Sequence, residues 1–136
     1  MARYFVDTWY FIAFLNPRDA HHESALRLSG RLQRAEFFTH DGVITELLAF
    51  FSTHGSYWRR EVAALTRDIL FSGKYRVTPV RRHLLEEALS LYETRLDKAY
   101  SLTDCVSMRV MLRRELTHVL TNDHHFRQEG FTLVNE

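Results

Sequence analysis

With 136 residues, the chain is long enough to bury one full core and short for two, so a single domain over 1–136 is expected. Eighteen basic against 17 acidic residues leave a formal charge of +1, which excludes a global basic field while leaving room for a local groove beside a cluster of acids. The single cysteine, Cys105, rules out an internal disulfide, and no stretch reaches the roughly 18 apolar residues of a membrane span. Neither export nor insertion is expected, and a reducing cytoplasm fits best.

In chain order, Tyr4-Phe5-Val6 is too short for a helix and reads as a buried strand ending in Asp7-Thr8. Trp9 to Leu15 is apolar nearly all round and stops before Asn16-Pro17, as a helix should. From Asp19 to about Arg34, Ala25, Leu28 and Leu32 recur at helical spacing. Glu36 to His40 is a second strand, and Asp41-Gly42 turns it into a helix running to about Thr53. That helix carries Val43, Ile44, Leu47, Leu48, Ala49, Phe50 and Phe51, so burial on most sides is expected, with Phe50 in the core. Glu46 is the one charged side chain inside it; Arg59 or Arg60 could pair with it, or it could serve a site.

Gly55-Ser56 opens an amphipathic helix to about Phe71, and Tyr75 to Thr78 is a short strand ended by Pro79. Arg81 to Arg95 returns to helical spacing. The most informative stretch follows, Tyr100-Ser101-Leu102-Thr103-Asp104-Cys105-Val106-Ser107-Met108. Ser101 is an N-cap and Asp104 stands at the third helical position, where a capping-box acid reaches back. Met108 and Met111 fall within about 40° of Asp104, and Arg109 and Arg113 fall on the far side, toward water. An acid on an inward stripe is desolvated at a cost, or it is held ionised by a cation. The helix ends near Glu115, His118 to Thr121 is a fourth strand running into Asn122-Asp123, His124 to Gln128 is one helical turn, and Phe131 to Val134 is a last strand. Short apolar strands alternating with helices argue for a central, mainly parallel sheet covered on both faces.

Ligands of such sheets bind beyond the carboxyl ends of the strands. Asp7 and Asp123 belong there, Glu46 lies about one turn into the helix after the second strand, and Asp104 opens the helix leading into the fourth, so all four can reach the same rim. Apposed carboxylates repel, and one or two Mg²⁺ or Mn²⁺ would hold them ionised with oxygen ligands suited to hard metals. The chemistry implied is hydrolysis of a phosphodiester bond.

Phe5-Val6-Asp7-Thr8, Thr45-Glu46-Leu47-Leu48, Tyr100 to Ser107, and Leu120 to Phe126 with Gly130-Phe131 together resemble the PIN-domain ribonucleases, and among them the VapC-type toxins of toxin–antitoxin pairs. The resemblance implies a PIN-like three-layer α/β/α sandwich with an acidic quartet of Asp7, Glu46, Asp104 and Asp123, and with Thr8, Ser107 and Thr121 as supporting polar residues. Asp7 and Asp104 would be direct ligands of a first Mg²⁺. It also implies an endoribonuclease, a homodimer, and inhibition by an antitoxin.

Other chemistries find less support. Gly73-Lys74 lacks the earlier glycine of a phosphate loop. A haloacid-dehalogenase-like phosphatase needs a second Asp two residues after the first, where this chain has Trp9. His21-His22 and His124-His125 lack the spacing of a tetrahedral zinc site. Cys105 has apolar neighbours and no adjacent base to activate a nucleophile. The competing reading is a PIN-like module that binds RNA or a protein without cleaving; all four acidic positions are filled, which favours the enzyme. Arg59, Arg60, Arg81, Arg82 and Lys98 are candidates for phosphate contact, and Tyr100 either stacks on a base or covers the helix start.

Overall fold

The computed structural model describes residues 1–135. Five strands, β1 (Arg3–Val6), β2 (Glu36–His40), β3 (Tyr75–Thr78), β4 (His118–Leu120) and β5 (Thr132–Val134), alternate with helices α1 (Thr8–Leu15), α2 (His22–Arg31), α3 (Asp41–Phe51), α4 (Ser56–Phe71), α5 (Arg82–Thr94), α6 (Leu102–Arg113) and the single turn α7 (His125–Gln128). Every strand pair is parallel, and the sheet order is β3-β2-β1-β4-β5. The chain therefore leaves β1 in one direction through β2 and β3 and returns on its other side with β4 and β5. This reversal places the switch point beside the carboxyl ends of β1 and β4, where Asp7 and Asp123 lie.

The strands are short apolar runs because both faces of the sheet are covered. Phe5, Val6, Phe38, Val119 and Leu120 are buried to within 1% and form the middle layer. On three of the helices only one stripe is buried: Ala25 and Leu28 on α2, Val62 and Ile69 on α4, Leu84, Ala88 and Leu91 on α5. The result is the expected three-layer α/β/α sandwich.

Two expectations change, and one open alternative is decided. α3 is not buried on most sides: Val43, Leu47 and Phe51 face the core, whereas Leu48 and Phe50 are 36% and 41% exposed. Its apolar residues outnumber what one contact stripe can cover, because the opposite side of this helix meets no other layer. Arg109 is not turned fully to water; it is half-buried, and its Nε has no hydrogen-bond partner. Tyr100 is 5% exposed and donates its hydroxyl to Glu129 Oε1 at 3.0 Å, so it covers the start of α6 and offers no face to a base.

Candidate active site

Four elements deliver one carboxylate each to a cavity of about 520 Å³ whose wall includes Asp7, Thr8, Glu46, Ser101, Asp104 and Asp123, with Trp9, Ile12, Phe50 and Asn122 completing it. Asp7 comes from the end of β1, where strand geometry gives way to α1, and it is 7% exposed. Its Oδ2 accepts the hydroxyl proton of Thr121 at 2.7 Å, and the same Thr121 oxygen accepts the backbone N–H of Asp123 at 3.1 Å. One buried threonine thus ties the carboxyl end of β1 to that of β4.

Asp104 is held from below. Its backbone N–H donates to Ser101 Oγ and its Oδ2 accepts the Ser101 N–H, both at 3.0 Å, so the capping box expected at this position is formed. The reciprocal bonds fix the carboxylate against its own backbone while the side chain stays 14% exposed toward the cavity. Asp123 Oδ1 accepts the His125 N–H at 3.0 Å, a local turn that orients the acid after β4.

Glu46 differs from these three. It is exposed, it makes none of the ion pairs found among the described residues, and Arg59 donates instead to the Ser52 carbonyl at 3.0 Å. Neither arginine named as a possible partner claims it in an ion pair.

The supporting residues divide. Thr121 braces Asp7 directly. Ser107, wholly buried, stands behind the site and bonds to His40: His40 Nδ1 accepts the Gly42 N–H at 2.9 Å, so its Nε2 carries the proton and donates to Ser107 Oγ at 2.8 Å, and the Ser107 hydroxyl donates to the Thr103 carbonyl at 3.0 Å. This chain links the end of β2 to α6 and sets the entry of α3 against the helix that carries Asp104. Burial pushes the His40 pKa down to about 4, consistent with a neutral ring in that network. Gly42 is required by the close approach: a Cβ there would lie 2.8 Å from His40 Cε1. Thr8 lines the cavity, is 5% exposed, and its Oγ1 has no hydrogen-bond partner.

Burial pushes the Asp7 carboxyl up to about 7; the Thr121 and Thr8 hydrogen bonds oppose the rise, and the charges of Asp104 and Glu46 add to it. A carboxylate so placed favours a proton or a cation. Together with the orphaned Thr8 Oγ1, a donor set of carboxylate oxygens fits a hard divalent ion. Asp104, Asp123 and His125 each offer one atom within 4.8 Å of the others, a spacing that could hold a metal ion.

An all-parallel sandwich with acids converging at its switch point defines a class of protein, and comparison with known proteins narrows it. The family model described as PIN domain matches residues 4–131, and the chain belongs to the PIN-domain family. Among solved structures it is similar to VapC20 of Mycobacterium tuberculosis, described as a toxin that cleaves the sarcin–ricin loop, at 26% identity and a TM-score of 0.87 over 97% of this chain and 98% of that one. FitAcB from Neisseria gonorrhoeae shares the fold at 16% identity and TM-score 0.65, covering 96% of each chain. VapBC2 from Rickettsia felis, bound to a DNA fragment from its promoter, does so at 14% identity and TM-score 0.68, covering 98% of each chain. No curated protein sequence matches this one.

The acidic quartet expected from the sequence leaves out His125, which is weighed there only as half of a zinc pair. A histidine two residues after Asp123 is a usable signal, since that spacing lets its N–H close a turn on the acid and brings its ring alongside.

Proposed function

We propose that the protein is a metal-dependent endoribonuclease and the toxin of a toxin–antitoxin pair, with residues 1–136 acting as one PIN-like domain. The observation that carries this reading is the convergence of Asp7, Glu46, Asp104 and Asp123 on one cavity at the switch point of a PIN fold. The four carboxylates would hold Mg²⁺ or Mn²⁺, with Asp7 and Asp104 as primary ligands. When bound, the ion would supply charge neutralisation at the scissile phosphate and would make a water more acidic. The chain's own residues do the rest: Thr121 and Ser101 keep two carboxylates oriented, His40 and Ser107 fix the helices that carry Glu46 and Asp104, and Thr8 Oγ1 offers a further polar atom in the wall.

The VapBC and FitAB neighbours support an antitoxin partner, and VapC20, which cleaves RNA, supports RNA as substrate. A homodimer and a cytoplasmic location complete the proposal; no helix among the described residues is long and apolar enough to cross a membrane. Cleavage of a labelled RNA pool by the purified protein with Mg²⁺ or Mn²⁺, set against EDTA and against Asp7→Asn, is the test. Metal-dependent cutting that the variant lacks is expected; no cutting by folded protein in either metal would overturn the enzyme and favour a binding module.

A further inference from the structure

The ring of His125 places an imidazole nitrogen beside two of the acids. Its Nδ1 lies 3.3 Å from Asp104 Oδ2 and 3.2 Å from Asp123 Oδ1, so it bridges a carboxylate from α6 and one that follows β4. The position is built. The His125 N–H is anchored on Asp123 Oδ1 at 3.0 Å, and the ring packs against that of Tyr100, with centroids 5.5 Å apart. Tyr100 is itself held by Glu129, which Arg95 grips with two bonds of 3.0 and 2.9 Å. His125 therefore reaches the carboxylates from a braced turn, and its side chain is 21% exposed.

We infer that His125 is a nitrogen ligand to a divalent ion shared with Asp104 and Asp123, and that it biases the centre toward Mn²⁺ over Mg²⁺. The inference rests on the metal-dependent reading above and adds to it a ligand that the acidic quartet does not contain. Two observations support it. The three candidate donor atoms already lie within 4.8 Å of one another. Thr8, which lines the cavity that Asp104 and Asp123 also line, has its Oγ1 buried without a protein partner, a polar atom that the protein alone does not satisfy. Mg²⁺ dehydrates reluctantly and is bound through oxygen, whereas imidazole is a good ligand for the softer first-row ions, so one ring nitrogen among carboxylates shifts preference toward the transition metal.

The test uses the full chain and Mn²⁺ alone, read by electron spin-echo modulation and by calorimetry. Wild-type protein should show a ¹⁴N coupling on bound Mn²⁺ that both His125→Ala and His125→Gln lack. Mn²⁺ affinity should fall by about tenfold or more in each, while Mg²⁺ affinity changes by less than about threefold. Bound Mn²⁺ with no nitrogen coupling, a coupling that survives in both variants, or Mn²⁺ affinity that holds or rises without the ring would each overturn the assignment and leave the acidic centre standing. Failure of wild-type protein to bind Mn²⁺, or binding indifferent to Asp104→Asn, would overturn the metal reading and the assignment together. Two variants of different size keep the result readable if one folds poorly, and the wild-type spectrum needs neither.

Discussion

α3 and α6 each bring one acid to the same cavity, and they do so by opposite means. Asp104 sits in the first turn of α6, locked by a reciprocal capping box on a helix whose Cys105, Val106, Ser107, Met108, Val110 and Met111 are all buried. Glu46 stands midway along α3, exposed on a helix that buries only Val43, Leu47 and Phe51. The first acid is fixed by backbone and core. The second is a longer side chain that must lose rotamer freedom whenever it is used. A pre-oriented ligand contributes more to a site than one ordered at the moment of binding, so the two acids should be unequal.

The largest effect should come from the fixed acid. Asp104→Asn keeps a side-chain oxygen for the capping box and removes the charge, so RNA cleavage should fall to background while the melting temperature stays within a few degrees of wild type. Glu46→Gln, on the exposed side chain, should retain measurable cleavage and lose divalent-ion affinity by about 10- to 100-fold. Equal losses in the two variants, measured side by side by cleavage rate and calorimetry, would erase the distinction between them.

The same contrast applies to packing. Phe51 is wholly buried against Trp58, with nearly parallel rings 5.4 Å apart, whereas the neighbouring Phe50 is 41% exposed at the cavity wall. Phe51→Ala should cost about 3–5 kcal/mol in urea unfolding, and Phe50→Ala less than about 1.5 kcal/mol. A large cost at Phe50 would mean that the outer side of α3 is covered after all.

Asp7 sharpens the comparison at its buried extreme. Its folded pKa, raised to about 7, exceeds the ordinary carboxyl value of 3.8, so in metal-free protein the folded state holds the proton more tightly than the unfolded chain. Its contribution to stability is present below about pH 4 and lost as pH rises to about 7. Asp7→Asn lacks this loss. Without metal, the variant should be more stable than wild type by about 2–4 kcal/mol above pH 7, with the gap closing toward pH 4. Buried His40, whose lowered pKa costs stability as pH falls below 6.5, is present in both proteins and cancels from the difference. Saturating Mg²⁺ or Mn²⁺ should reverse the order, because only wild type retains the full ligand set. Denaturant melts at several pH values, with and without metal, carry the test.

How much of this the chain discloses follows from the kind of signal each residue gives. β2 and β3 lie where their apolar runs end at Asp41 and Pro79, and the capping box at Ser101 and Asp104 is a local pattern that needs no tertiary knowledge. The convergence of the acids was legible because parallel topology constrains where strand ends meet. Phe50 was not legible: hydrophobicity says that a side chain prefers burial, but only the placement of α3 with nothing packed on its outer side decides whether burial is available. Arg109 fails for the converse reason, since helical angle gives a direction and not what stands there. His40 and Ser107 are 67 residues apart, and their bond is set by how β2 meets α6.

The smallest effect tests the idea of pre-orientation most directly. Ser101→Ala removes the hydroxyl that accepts the Asp104 N–H and leaves every carboxylate in place. Loss of an N-cap costs about 0.5–2 kcal/mol, a modest change in a melt. If the capping box only stabilises α6, metal affinity and cleavage should follow wild type at temperatures where the variant is folded. If it aims the carboxylate, as the 3.0 Å bond from Ser101 N–H to Asp104 Oδ2 indicates, the first turn of α6 should fray and Mn²⁺ affinity should drop by several-fold beyond what the melt explains. Thr45→Ala on α3 is the control: its hydroxyl donates to the Asp41 carbonyl within the helix and orients no acid, so its affinity should match wild type. Calorimetric titration of the two variants at one temperature well below both melts would separate a ligand held by its backbone from one that is merely near it.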